Sequence, residues 1–286
     1  MVAEKPIKIT PKRIFALLGI AAKMDLAWLL RDRTFATLTI LADIVSTIAS
    51  VSGVMLLAWR FGGIGGISAW DVLFMLAYNV MLGGIYITFL ASNNGHISRL
   101  IGRGQFEHLF IQPLPLPTQL ITMGFMPFTG SSSIYVGAGL MWWALSHIQM
   151  VLPWWWAFAL IGSLIVSLLV MVGTSYLFAT AAFYAPVQAE EISHEVMDVF
   201  FVIGTFPLSG MPRGLQLLLI TVFPIGLNAW FPALVLLNKA PLGLPAALPL
   251  IVCGVLWAIT SIVFKKGLNY YVKKGVNRYS ARGHRR

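Results

Sequence analysis

Charge is scarce in this chain. Asp, Glu, Lys and Arg make up 10% of 286 residues, against about 25% in a soluble globular domain. That scarcity excludes an ordinary soluble enzyme and a disordered tail protein. Cysteine is scarcer still: Cys253 is the only one, so no disulfide forms within the chain and a stapled secreted domain is excluded. No glycine-rich run ends in Gly-Lys-Ser or Gly-Lys-Thr, so there is no Walker A loop. His-Glu-x-x-His and Cys-x-x-Cys are both missing. The nearest metal-like set is Glu190, Glu191, His194, Glu195 and Asp198. Four of these, Glu191, His194, Glu195 and Asp198, share one helix face by spacing. The set reads first as a solvated acidic helix start and second as a metal site.

What the chain does have is apolar length and a basic excess. Hydrophobic residues reach 58%, mean hydropathy is +0.81 and the formal charge is +10. Lys5, Lys8, Lys12, Arg13, Lys23, Arg31 and Arg33 precede residue 34; Lys265, Lys266, Lys273, Lys274, Arg278, Arg282, Arg285 and Arg286 follow residue 264. Only Arg60, Arg99, Arg103, Arg213 and Lys239 lie between. Two basic ends around an apolar interior predict a polytopic membrane protein with both termini cytoplasmic. The excess then attracts anionic membrane lipids, and no nucleic acid is expected as a partner.

A spanning helix needs about 20 apolar residues. Continuous candidates are Phe35–Trp59, Val72–Ala91, Leu120–Leu145 and Trp154–Tyr184, then Val196–Leu208 after the acidic set, and Leu242–Phe264. Leu215–Leu237 is apolar too, but Pro224 and Pro232 interrupt it. Counting it as a crossing would put one basic end outside. The prediction is therefore an all-α fold with six transmembrane helices and a re-entrant outer hairpin between helices 5 and 6, spanning 212–240. Ile14–Leu30 carries Lys23 and Asp25, which suits an interfacial helix at 14–30 that keeps both charges wet. A signal-peptide core at Ile14–Ala22 is the rival reading. The basic cytoplasmic tail is 265–286, and the whole of 1–286 is one membrane domain.

Asp43 is the one carboxylate well inside a span. Ser46 and Thr47, a helical turn on, would satisfy it locally; a role in substrate passage or proton coupling is the alternative. Asn79 and Ser132 join it as candidate pathway residues. Ser133 and Gly137 form a small-xxx-small pair suited to close helix packing. Between the second and third spans lies a polar loop, 95–117, with apolar stripes Ile97/Leu100/Ile101 and Phe106/Leu109/Phe110. A loop this long and apolar predicts docking to a partner.

The run Ile101-Gly102-Arg103-Gly104-Gln105-Phe106-Glu107-His108-Leu109, followed by Pro113-Leu114, resembles the loop motif of ABC-2-type permeases. The family more often has Asp where Glu107 stands, which keeps the charge. A second block resembles the same family: Phe206-Pro207-Leu208, Pro212-Arg213-Gly214-Leu215, Pro224-Ile225-Gly226-Leu227-Asn228 and Phe231-Pro232-Ala233. The resemblance implies the membrane permease subunit of an ATP-binding-cassette exporter in the bacterial inner membrane. Two permease chains would pair as a homo- or heterodimer. Separate ATPase subunits would bind ATP and Mg, and this chain would be no enzyme itself. Ile97, Leu100, Ile101, Arg103, Phe106, Glu107 and Phe110 would then couple to the ATPase. Pro224, Asn228 and Pro232 would belong to the external hairpin. The expected substrate is amphipathic or lipid-like. The rivals are a proton-driven secondary transporter using Asp43, a membrane-embedded lipid enzyme, and a subunit that anchors without transport.

Overall fold

The computed structural model describes residues 10–90, 93–103, 105–122, 124–239 and 243–275. Lys5, Lys8 and the end of the basic tail with Arg278, Arg282, Arg285 and Arg286 lie outside the described residues, as do Ala91, Ser92, Gly104 and Leu242. The described chain is helical, and its one β-bridge, Ile64 to Ile67, closes the glycine-rich turn after the first span. The helices are α1 Pro11–Arg31, α2 Arg33–Arg60, α3 Ala69–Leu90, α4 Asn93–Gly102, α5 Glu107–Ile111 and α6 Leu116–Thr122. They continue as α7 Ser132–His147, α8 Trp156–Ala179, α9 Pro186–Ile203, α10 Arg213–Thr221, α11 Trp230–Leu236 and α12 Leu248–Lys274.

Among the described residues, four helical stretches are long and apolar enough to cross a membrane: Arg33–Arg60, Ala69–Phe89, Trp156–Phe183 and Leu248–Lys274. A fifth appears if α10 and the stretch Pro224–Leu236, bent by 74° at their junction, count as one. Their local logic is conventional. Asp32 caps α2, accepting the Phe35 amide at 2.9 Å. Ser68 and Asp71 cap α3 reciprocally, at 3.0 and 3.3 Å. Thr37 and Thr39 donate their hydroxyls to carbonyls one turn back, so α2 carries them without an unpaired group.

α3 is the hub. It is the most enclosed of the apolar helices, and it packs against α7, α2, α8 and α11. The α3–α7 seam brings backbones into contact. A Cβ on Gly137 would lie 2.7 Å from the Met81 amide nitrogen, and one on Gly84 would lie 2.6 Å from that of Ile134. The small residues of the third stretch are thus used for close packing.

Three expectations need correction. The stretch Leu120–Leu145 is not one helix: it divides into α6 and α7 around an irregular segment. Pro127 lacks an amide hydrogen and disfavours helix before it. The segment's donors go elsewhere, Met126 to the Thr88 carbonyl at 2.8 Å and Phe128 to the Asp25 carboxylate at 2.8 Å. Asp25 is therefore not wet. It is buried in α1 and also accepts Thr129 Oγ1 at 2.7 Å, while Lys23 stays exposed. Finally, the helix bearing Glu191, Glu195 and Asp198 begins at Pro186, well before the apolar stretch, and its charges keep it out of the clearly apolar set.

Candidate functional site

The loop between α3 and α7 is keyed into the helix ends beneath it. Ile97 and Phe106 have no exposed surface and Ile101 has 1%. With Leu109, Leu120, Phe183, Ala189 and Tyr271 they form a small core separate from the main one. Phe106 is its centre, edge-on to Phe110, Phe183 and Tyr271 at centroid distances of 5.4, 5.7 and 5.5 Å. Phe183 fits because residue 267 is glycine: a Cβ there would lie 2.7 Å from its ring. Tyr271, on the last turn of α12, donates to Glu107 Oε1 at 2.8 Å. Gln119 braces the loop from α6, donating to the carbonyls of Leu109 and Leu114 at 2.9 and 2.6 Å.

The predicted loop residues thus divide. Ile97, Ile101 and Phe106 face inward, and Leu100 is half-buried. Arg103, Glu107 and Phe110 face out, joined by Ile111, which is 73% exposed and was not singled out from the sequence. Phe183, Gly267 and Tyr271 were also missed. No motif marks them, and their partners are far away along the chain.

The pathway candidates converge. A cleft of about 630 Å³ lies between α2, α3, α7 and α9. Asp43, Thr47, Asn79 and Ser133 line it, with apolar walls that include Val54, Leu76, Phe201 and Phe206. Ser132 and Ser133 both donate to Asp43 Oδ2, the second at 3.2 Å. These donors stand on α7, so the expectation that Ser46 and Thr47 satisfy Asp43 is replaced by an interhelical contact. Thr47 instead reaches Ser133, at 3.4 Å.

The hairpin candidates are enclosed rather than displayed. Pro224, Asn228 and Pro232 are all buried. Side chains from α3 and α8 hold this region: Tyr78 bonds Ser167 at 3.0 Å, and Ser167 donates to the Leu227 carbonyl at 2.8 Å. Trp156 donates to the Leu236 carbonyl at 3.0 Å. At its end Lys239 pairs with the buried Asp71 at 2.5 Å, tying the segment after α11 to the start of α3. Gly65 makes a second tie: with φ of +61°, it lets the turn after α2 close onto the Ser209–Gly210 backbone.

His194 lies on α9 with Glu191, Glu195 and Asp198. Among the described residues no group of three or more His, Cys, Asp or Glu side chains is placed to hold a metal ion.

No curated protein and no solved structure matches the chain significantly. A protein-family model described as "ABC-2 family transporter protein" matches residues 44–275. That match runs from the residue after Asp43 through the keyed loop, the cleft helices α3, α7 and α9 and the bent α10–α11 pair to the end of α12. The chain therefore belongs to the ABC-2 transporter family, as a multi-pass membrane permease subunit.

Proposed function

We propose that this chain is the membrane half of an ATP-driven exporter of an amphipathic substrate, in the bacterial cytoplasmic membrane. ATP and Mg are bound and hydrolysed on separate ATPase subunits, and two permease chains pair across the pathway. The chain crosses six times, through α2, α3, α6–α7, α8, α9 and α12, with both termini cytoplasmic. The α10–α11 pair dips in from the outer side. Sixteen residues of α7 reach about 24 Å at 1.5 Å each. That falls short of a ~30 Å hydrocarbon core, and α6 supplies the rest.

One observation carries this reading. Phe106, the residue that leads into α5, is buried against Phe183 and Tyr271, while Phe110 and Ile111 on α5 are exposed. An ATPase that grips the exposed side moves the buried side with it. The ends of α8, α9 and α12 must then follow, because a packed core does not deform continuously. α9 lines the cleft, so the motion reaches the substrate path.

The test is purification of the tagged full chain from its own host, followed by reconstitution. A Walker A-bearing ATPase is expected to co-purify, and substrate-stimulated hydrolysis is expected to fall about tenfold in Ile111→Asp, where a charge enters an apolar contact. A chain that purifies without an ATPase, or hydrolysis untouched by Ile111→Asp, overturns the assignment.

A further inference from the structure

The cleft has a definite chemistry. Among the described residues its lining contains one carboxylate, Asp43, and no Lys, Arg or His. Both serine hydroxyls that reach Asp43 converge on Oδ2, and among the described residues nothing donates to Oδ1. Across the cleft, on α3, stands Asn79. It is 7% exposed, and its amide makes no hydrogen bond among the described residues. Its amide keeps surface open to the cleft, where water or a ligand can pair it. Ser50 and Thr205 also line it, with their hydroxyls turned to backbone carbonyls of their own helix or turn, and the rest is largely apolar, with Val51, Val54, Leu57, Leu76, Phe201 and Phe206.

A carboxylate inside a membrane is costly unless it is paired or hydrogen-bonded. Two hydroxyl dipoles on one oxygen offset part of that cost and supply no positive charge. A ligand that brings its own cation completes the balance. The cleft volume of about 630 Å³ falls within the roughly 300–1,000 Å³ of small-molecule sites.

We propose that this cleft binds an organic monocation with an apolar body, its charge on the open Oδ1 side of Asp43. The apolar body lies along the α2 and α3 walls, and Phe201 and Phe206 add aromatic lining, which suits a delocalised cation. The assignment rests on the permease reading and narrows its substrate class from amphipathic to cationic amphipathic.

A matched pair of probes tests it: tetraphenylphosphonium and tetraphenylborate, alike in size and shape and opposite in charge. Binding is measured by equilibrium dialysis on the full chain in nanodiscs of zwitterionic phosphatidylcholine, with empty nanodiscs subtracted. Saturable binding of tetraphenylphosphonium is expected, with tetraphenylborate bound at least about tenfold more weakly. Asp43→Asn should weaken the cation about tenfold or more without weakening the anion. Thr47→Lys is a second variant, one helical turn from Asp43, which supplies an internal ammonium. It should abolish cation binding even if Asp43→Asn fails to fold. Equal binding of the two probes, absence of saturation, or cation binding unchanged in the folded variants overturns the proposal. No ATPase takes part, so failure here leaves the co-purification test standing. Failure of that test in turn leaves cation binding measurable.

Discussion

Phe106 shows how a residue's type and its use separate. Its place in an apolar loop stripe is plain from sequence, and so is the expectation that the stripe docks onto something. The stripe does dock, but Phe106 docks onto Phe183 and Tyr271 of its own chain. Phe106→Ala should therefore lower the stability of the purified chain by about 3–5 kcal/mol, as for other buried Phe→Ala changes. Thermal unfolding in detergent reads that loss. The exposed Ile111→Asp should leave the unfolding temperature nearly unchanged. Asp43 follows the same pattern. Its oddity inside a span is legible, but its donors are Ser132 and Ser133 on α7, which no helical spacing along α2 indicates.

Among elements, the α3–α7 seam makes the sharpest claim. Gly137 and Gly139 look alike in the sequence. Gly137 abuts the α3 backbone, whereas nothing lies within 4 Å of a Cβ on Gly139. Gly137→Ala should force α3 and α7 apart and destabilise the fold by about 1–3 kcal/mol, the usual overpacking cost. Gly139→Ala should be neutral, or stabilising by up to about 1 kcal/mol through helix propensity. The two unfolding temperatures, measured side by side, decide it; equal shifts would contradict the seam. α1 is fixed by a different device. The Asp25 carboxylate takes the Phe128 and Thr129 amides and the Thr129 hydroxyl. Asp25→Ala leaves those donors unmet, at about 1–3 kcal/mol, and should speed proteolytic cleavage within α1 in detergent.

At the scale of the whole molecule, the proposed six-crossing arrangement predicts which side each surface faces. With Cys253 replaced by Ala, single cysteines at Lys12, Arg103 and Lys274 should react with an impermeant maleimide only from the cytoplasmic side. Cysteines at Trp154 and Lys239 should react only from the outside. Labelling of Lys239→Cys from within would break the arrangement, since Lys239 closes the bent α10–α11 pair against Asp71.

The sequence by itself determined that this chain is helical and lies in a membrane, and where its basic ends fall. These properties are sums over neighbouring residues: hydropathy over a window and charge over a terminus. They need no knowledge of what touches what. Tertiary structure decided that the third apolar stretch breaks at Pro127, that Asp25 is buried, and that the loop's aromatic stripe faces inward. It also decided that Asp43 and Asn79 share one cleft. Each of these depends on groups far apart along the chain meeting in space. A carboxylate or a phenyl ring gives no local sign of which distant amide, hydroxyl or ring will meet it.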